Sequence, residues 1–130
     1  MSSVDHPPSL RVSVVGPCGS GKSTLVRALR ERGYTVRHVA QEHSYVPDMW
    51  LRLTRPDALI YLHAAYATTV ARRQLNWTPD EYAEQLRRLA HARQHAGLIV
   101  PTDDLTPGQV LGRALDFLAA RASSPATPAP

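Results

Sequence analysis

The chain has 130 residues, of which 43% are hydrophobic and 20% are charged, and its formal net charge at pH 7 is +4. This length suits one domain, and the composition excludes a fibrous repeat and a wholly disordered chain. One cysteine excludes an internal disulfide, and no apolar stretch reaches the length of a membrane span, so we expect a cytoplasmic protein without a membrane partner.

The two ends of the sequence are predicted to be disordered tails, residues 1–9 and 122–130, because proline and small or polar residues dominate them. Residues 10–121 between them are predicted to form one domain. A strand comes first, over residues 10–15, because this run is apolar, rich in β-branched residues and stops at Gly16. A helix follows over residues 21–32, with Leu25, Ala28 and Leu29 facing inward and Gly33 as its C-terminal cap.

The middle of the chain continues the alternation of strands and helices. The sequence predicts a strand over 34–40, a loop over 41–44, a short helix within 47–53, a strand over 57–62 and a helix over 68–76.

The last third contains two helices that begin with capping signals. Thr78 and Glu81 form the first capping box, and that helix should run to residue 96 and bury Tyr82, Leu86, Leu89 and Ala90. A short strand over 98–100 follows, and Thr106 opens a final helix to residue 121. Alternating strands and helices predict a three-layer α/β sandwich around a small, mostly parallel sheet of four or five strands.

A glycine-rich stretch after the first strand carries the clearest chemical signal. Residues 16–23 match the pattern G-x-x-x-x-G-K-[ST] between a strand and a helix, which is the setting that phosphate binding by this motif requires. Lys22, the only lysine in the sequence, is expected to reach the β- and γ-phosphates, and the Ser23 hydroxyl to bind Mg²⁺. The predicted nucleotide-binding residues are Gly16, Pro17, Cys18, Gly19, Ser20, Gly21, Lys22, Ser23 and Thr24.

With this loop, the order of elements resembles the small P-loop kinases, such as thymidylate, adenylate, shikimate and dephospho-coenzyme A kinases, over most of residues 10–120. The resemblance implies a P-loop NTPase fold that uses ATP or a related nucleoside triphosphate with Mg²⁺. It also implies that Arg72 and Arg73 stand where lid arginines neutralise the transferred phosphoryl group.

Two features depart from that family pattern. No apolar strand ends in the acid of a Walker B motif, and His63 stands where an aspartate would be expected. Glu42, just after the second strand, is the nearest match to the acid that handles metal or substrate in shikimate-kinase-like proteins, and we predict that it serves as general base or metal ligand; Asp57, Asp103 and Asp104 are the alternatives. The segment between residues 40 and 57 is also short for a nucleotide-monophosphate site.

Other polar and aromatic residues have both functional and structural interpretations. Arg87, Arg88 and Arg93 could form a basic lid or a solvated helix face. His91 and His95 lie one helical turn apart but lack the glutamate of a zinc-binding H-E-x-x-H motif, and Trp50 and Trp77 could stack on a base or cover the core.

Three functions remain open from the sequence. The first is transfer of the terminal phosphoryl group of a nucleoside triphosphate to a small acceptor, such as a nucleoside or nucleotide. The second is hydrolysis of the triphosphate, with water as acceptor, and the third is a nucleotide sensor without catalysis. In each of them a nucleotide is the expected partner and nucleic acid is not.

Overall fold

The computed structural model describes residues 10–73 and 76–123. Strands and helices alternate along most of this length, as the sequence predicts. The four strands are β1 (Arg11–Val15), β2 (Thr35–His38), β3 (Ala58–His63) and β4 (Leu98–Pro101). The five α-helices of the described residues are α1 (Lys22–Glu31), α2 (Met49–Thr54), α3 (Tyr66–Arg73), α4 (Pro79–His95) and α5 (Pro107–Ser123).

The sheet is parallel throughout, with the strand order β2-β1-β3-β4. Val12 of β1 lies beside Val36 on one side and Ala58 on the other. The strand that leads into the glycine-rich loop is therefore central, and all four carboxyl ends meet at one edge of the sheet. In open α/β sheets this is the edge where ligands bind.

Helices cover both faces of the sheet, and a hydrophobic core lies on each side. On one face Leu29 of α1 and Leu118 of α5 pack against sheet residues such as Val14 and Ile60. On the other face Trp50 of α2 and Leu89 of α4 pack against Leu59 and Tyr61. This arrangement agrees with the predicted three-layer α/β architecture. No helix in the described ranges is long and apolar enough to cross a membrane.

The structure corrects several predicted boundaries. Residues 41–43, predicted as a loop, form a 3₁₀ turn (Gln41–His43), β2 is confined to four residues, and α3 starts two residues before the predicted Thr68. Helix α5 continues two residues into the predicted C-terminal tail. Residues 1–9, 74, 75 and 124–130 lie outside the described residues. They include all of the predicted N-terminal tail, most of the predicted C-terminal tail and part of the predicted 68–76 helix.

Both capping boxes form as predicted. The Thr78 hydroxyl accepts a hydrogen bond from the Glu81 amide at 3.1 Å, and the Glu81 carboxylate accepts one from the Thr78 amide at 2.8 Å. Thr106 and Gln109 form the same reciprocal pair at the start of α5. The buried face of α4 differs from the prediction, because Gln85, Leu89 and Ala92 point inward while Ala90 is exposed.

Candidate functional site

The glycine-rich loop (residues 16–23) connects β1 to α1, and two of its glycines are required by close packing. A Cβ atom at Gly16, whose φ is 156°, would lie 2.3 Å from the carbonyl oxygen of Leu62, and a Cβ atom at Gly19, whose φ is 83°, would lie 2.9 Å from the Cβ of Thr69. Larger residues at either position would push the loop away from β3 or α3. The loop is therefore held against both elements.

Helix α1 begins at Lys22 with an open N-terminus. Gly21 adopts a left-handed conformation as its N-cap, and no side chain within the described ranges caps the first turn by a hydrogen bond. The first amide N–H groups of a helix need partners, and together with the helix dipole they attract an anion. The loop and the start of α1 thus provide the local geometry of an anion site.

Lys22 is buried beneath the loop and already has three oxygen partners. Its Nζ donates to the carbonyl oxygens of Gly16 at 2.6 Å and Pro17 at 3.1 Å, and it lies 2.9 Å from Oε2 of Glu42. The side chains of Lys22 and Glu42 are only 5% and 4% exposed. Burial of both charges is tolerated because they form an ion pair with additional hydrogen bonds.

Glu42 reaches this position from the 3₁₀ turn after β2. Its Oε2 pairs with Lys22, but its Oε1 is buried and has no hydrogen-bond partner among the described residues. An oxygen of this kind indicates a missing partner such as a water molecule, a cation or a substrate hydroxyl. Glu42 thus lies against Lys22 of the glycine-rich loop and keeps one carboxylate oxygen without a partner among the described residues.

Two cavities adjoin at the loop. The first has a volume of about 450 Å³, and we call it the polar cavity after the charged and polar side chains in its lining, which include Lys22, Ser23, His38, Glu42 and His43. The second has a volume of about 330 Å³ and is mainly apolar, and its walls include Leu25, Ala28, Leu105, Pro107, Val110 and Leu111. Gly21, Thr24 and Arg72 line both cavities. A ligand with a polar part and an apolar part could span the two.

Arg72 lies where the two cavities meet. One guanidinium nitrogen donates to the carbonyl oxygen of Gly19 at 3.3 Å and to the hydroxyl of Thr102 at 2.8 Å, and the other nitrogen donates to the carbonyl oxygen of Thr102. The predicted Arg72 therefore lies beside the glycine-rich loop, where its charge can act on an anion. The role predicted for Arg73 depends on a side chain outside the described part of the structure.

Two of the alternative acids, Asp57 and Asp103, occupy structural positions, and Asp104 is exposed. Asp57 precedes β3 and lies at the opposite edge of the sheet, where its carboxylate accepts a hydrogen bond from the amide of Arg11 at 2.7 Å. Asp103 accepts hydrogen bonds from the Thr68 hydroxyl and the Ala65 amide, which lower the pKa of its carboxyl group. Glu42 is thus the acid that contacts Lys22, and Asp103 helps to anchor the start of α3.

His63 ends β3 at the position where the family pattern has an acid. Its Nδ1 atom is buried and has no hydrogen-bond partner within the described ranges. Burial, reinforced by the charge of Arg93, lowers the pKa of its imidazole. This residue therefore favours the neutral form at pH 7 and does not replace an acid electrostatically.

The lid-like arginines of α4 have local partners. Arg87 and Arg88 both contact Glu84, at 2.6 and 3.2 Å, and Arg88 also lies over the Tyr45 ring. Arg93 lies over the Tyr61 ring. These contacts favour the structural interpretation of all three arginines.

The aromatic and histidine candidates are also held by their neighbours. Trp50 is buried in the second core, and its Nε1 donates to Nδ1 of His91 at 3.1 Å. Nε1 of Trp77 donates to the Thr69 hydroxyl at 3.3 Å, and Nδ1 of His95 lies 2.9 Å from the His91 carbonyl oxygen. Direct stacking of a base on Trp50 is therefore excluded by its burial.

Sequence reasoning missed Gln85 and Thr102, which hold the loop from outside. Gln85 accepts a hydrogen bond from the Cys18 amide at 3.0 Å and donates one to the Cys18 Sγ at 3.3 Å. The Thr102 hydroxyl donates to the Ser20 carbonyl oxygen at 3.1 Å. The available signal for Gln85 was its helical spacing from Tyr82 and Leu89, whereas nothing in the sequence marks Thr102.

Comparison of the sequence with models of known protein families gave no match, and comparison with curated proteins gave none either. The functional interpretation therefore depends on the geometry of this site.

Proposed function

We propose that this chain is a Mg²⁺-dependent P-loop enzyme, similar to small nucleotide kinases, that transfers the terminal phosphoryl group of ATP or a related nucleoside triphosphate to a small acceptor. The observation that carries this proposal is the pair of adjoining cavities. The polar cavity suits the triphosphate, and the apolar cavity, bounded by α1, α5 and the segment between β4 and α5, suits a base. A site for inorganic phosphate alone would not need the apolar part.

The triphosphate would bind by exchanging partners with the loop. Its oxygens would accept from the amides at the start of α1 and from Lys22, which would leave the carbonyl oxygens of Gly16 and Pro17. Because Lys22 now neutralises Glu42, its movement toward the phosphates would free the Glu42 carboxylate. Binding of nucleotide and exposure of the proposed base are thereby coupled.

The residues present fit a magnesium ion. Ser23 lines the polar cavity, and Glu42 offers a buried carboxylate oxygen without a hydrogen-bond partner among the described residues, so both groups supply the oxygen ligands that Mg²⁺ prefers. Ser23 would hold the ion together with Glu42, which would act through water, and Mg²⁺ when bound would neutralise charge on the β- and γ-phosphates. Arg72 would add positive charge beside the loop, and Glu42 would orient the attacking oxygen and accept its proton.

Hydrolysis of the triphosphate is a second candidate because the segment between β2 and β3 is short and is held by α4. Helix α4 packs onto the segment after β2: Nε2 of Gln41 donates to the carbonyl oxygens of Val46 at 2.8 Å and Arg88 at 3.2 Å. These hydrogen bonds hold the segment after β2 against α4, in the region where a large acceptor would have to bind. The proposal is therefore limited to a small acceptor, with water as the smallest.

The test is incubation of the purified protein with Mg·ATP and other triphosphates, alone and with a panel of nucleosides and monophosphates, followed by separation of all products. A phosphorylated acceptor supports transfer, and phosphate release without an acceptor supports hydrolysis. Binding without turnover in any mixture supports a nucleotide sensor. If the protein binds none of the triphosphates, the proposal is contradicted. The Lys22→Ala variant, assayed in the same way, measures the background activity from contaminants.

Magnesium dependence tests the assignment of Ser23. We expect Ser23→Ala to shift the Mg²⁺ dependence of turnover to concentrations about tenfold higher or more, because a metal ligand is lost, and excess metal should restore part of the rate. Ser23→Thr, which keeps the hydroxyl group, is the matched control. Superimposable metal titrations of wild type and Ser23→Ala would contradict the assignment.

A further inference from the structure

We propose that Cys18, Glu42 and His43 form a binding site for Zn²⁺ at the mouth of the polar cavity. One ligand atom from each side chain, the sulfur of Cys18, a carboxylate oxygen of Glu42 and an imidazole nitrogen of His43, lies within 4.8 Å of the other two. All three residues line the same cavity. A thiol, an imidazole and a carboxylate are the ligand types that proteins use for zinc.

The two separations that involve His43 are slightly longer than those of a tetrahedral zinc site. Bond lengths of about 2.0–2.3 Å around a tetrahedral ion place its ligand atoms roughly 3.3–3.6 Å apart. In the structure the Cys18 Sγ lies 3.7 Å from Nε2 of His43, and that nitrogen lies 3.8 Å from Oε2 of Glu42. The Cys18 sulfur and the Glu42 oxygen lie within 4.8 Å of each other and would also have to approach. The exposed His43 ring has room to move toward both.

A second observation indicates that a ligand is missing here. Oε1 of Glu42 is buried and lacks a hydrogen-bond partner within the described residues, whereas Oε2 is occupied by Lys22. Since the oxygen that lies 3.8 Å from His43 is Oε2, zinc binding there requires Lys22 to release that oxygen, and Oε1 is then available to Lys22 or to the ion. The nearby positive charge of Lys22 opposes metal binding, so the thiolate and the imidazole are both required.

The residues around Cys18 are arranged to hold a metal-bound sulfur. The Gln85 side chain binds the Cys18 amide through its oxygen and donates to the sulfur through its nitrogen. Hydrogen bonds from such outer residues orient metal ligands and stabilise their charged form. Binding of zinc would release the thiol proton and leave the fourth tetrahedral position open toward the cavity.

Occupation of this site would compete with the magnesium complex of the nucleotide, since both need Glu42 and the same cavity. This regulatory consequence rests on the proposed function, but zinc binding itself does not. The chain would then be active when zinc is scarce and inhibited when zinc is available.

Metal-free protein in the absence of nucleotide provides the direct test. Titration with Co²⁺ should give a thiolate-to-cobalt charge-transfer band that Zn²⁺ removes, and calorimetry should give the zinc affinity. We expect Cys18→Ser to abolish the band. Both Cys18→Ser and His43→Gln should weaken zinc binding at least tenfold, because substitutions outside the ligand shell alone lower metal affinity by about 10–100-fold. His38→Gln is the matched control, because His38 lines the same cavity outside the cluster.

Two outcomes would overturn the zinc site: unchanged zinc affinity in Cys18→Ser, or loss of zinc binding in His95→Gln, which would place the ion on the His91 and His95 pair. A second arm repeats the zinc titration with Mg·ATP present and should give weaker apparent zinc binding. Zinc bound through Cys18 but insensitive to bound Mg·ATP would overturn the competition. Protein that binds zinc through Cys18 but no nucleotide would overturn the proposed function and leave the zinc site supported.

Discussion

The ammonium nitrogen of Lys22 lies 2.9 Å from a carboxylate oxygen of Glu42, and both side chains are buried. Lys22 comes from the loop after β1 and Glu42 from the turn after β2, so the parallel pairing of these two strands brings the charges together. The pair holds one positive charge at the site proposed for the phosphates and one carboxylate at the site proposed for the attacking oxygen. Separation of the pair by a ligand would make both available.

Glu42→Gln should slow the chemical step by about 10²–10⁴-fold if Glu42 is the general base, because the amide cannot accept the proton. Nucleotide affinity should change much less, since Lys22 and the loop amides remain. Single-turnover kinetics with direct nucleotide binding distinguish the two effects. Glu31→Gln, at the exposed end of α1, is the matched control. A wild-type single-turnover rate in Glu42→Gln would remove Glu42 from the mechanism.

Lys22→Met should destabilise the protein by roughly 3–5 kcal/mol, because it leaves the Glu42 charge buried without its partner. The double variant Lys22→Met/Glu42→Gln should recover part of that loss. Urea unfolding followed by circular dichroism gives the four free energies of unfolding needed for a double-mutant cycle. Additive effects of the two substitutions would mean that the ion pair contributes nothing to stability.

Ala28→Phe should fill the apolar cavity and weaken the binding of Mg·ATP about tenfold or more, because a base could no longer enter. Binding of inorganic tripolyphosphate should be unaffected, since it needs only the polar cavity. Isothermal calorimetry with both ligands measures the difference. Ala119→Phe, on the exposed side of α5, controls for the added aromatic ring. Equal losses for both ligands would place the base elsewhere.

Stability should decrease as the pH falls below about 6.5, because burial lowers the pKa of His63 in the folded state from its ordinary value of 6.5. Between the folded and unfolded pKa values the unfolded chain binds more protons, so this contribution is fully present above pH 6.5 and is lost below it. His38 acts in the same direction. Thermal unfolding between pH 7 and pH 5 should show a smaller decrease in His63→Gln than in wild type. Parallel curves would contradict the role of His63.

The elements and the glycine-rich loop could be predicted from the sequence because their signals are local. The capping box of Thr78 and Glu81 and the apolar strand before Gly16 depend on neighbours within a few residues, and the structure contains both. The position of Glu42 could also be predicted, because the carboxyl ends of parallel strands meet at one edge of the sheet.

The contacts that complete the site could not be predicted, because they join distant parts of the chain. The hydrogen bonds between Gln85 and Cys18 span 67 residues, and that between Thr102 and Ser20 spans 82. Helix α4 buries Gln85 with Leu89 and Ala92, and the glutamine reaches the loop. Apolar periodicity alone favours Leu86 and Ala90 on that helix.

The burial of Lys22 has a consequence for chemical modification of the protein. Lys22 is the only lysine in the sequence. Acylation directed at lysine, by a reagent or by an enzyme, therefore has a single side-chain target. Reaching that target requires displacement of Glu42 and of two loop carbonyl oxygens. Acylation of this chain at lysine would therefore report the opening of the site itself.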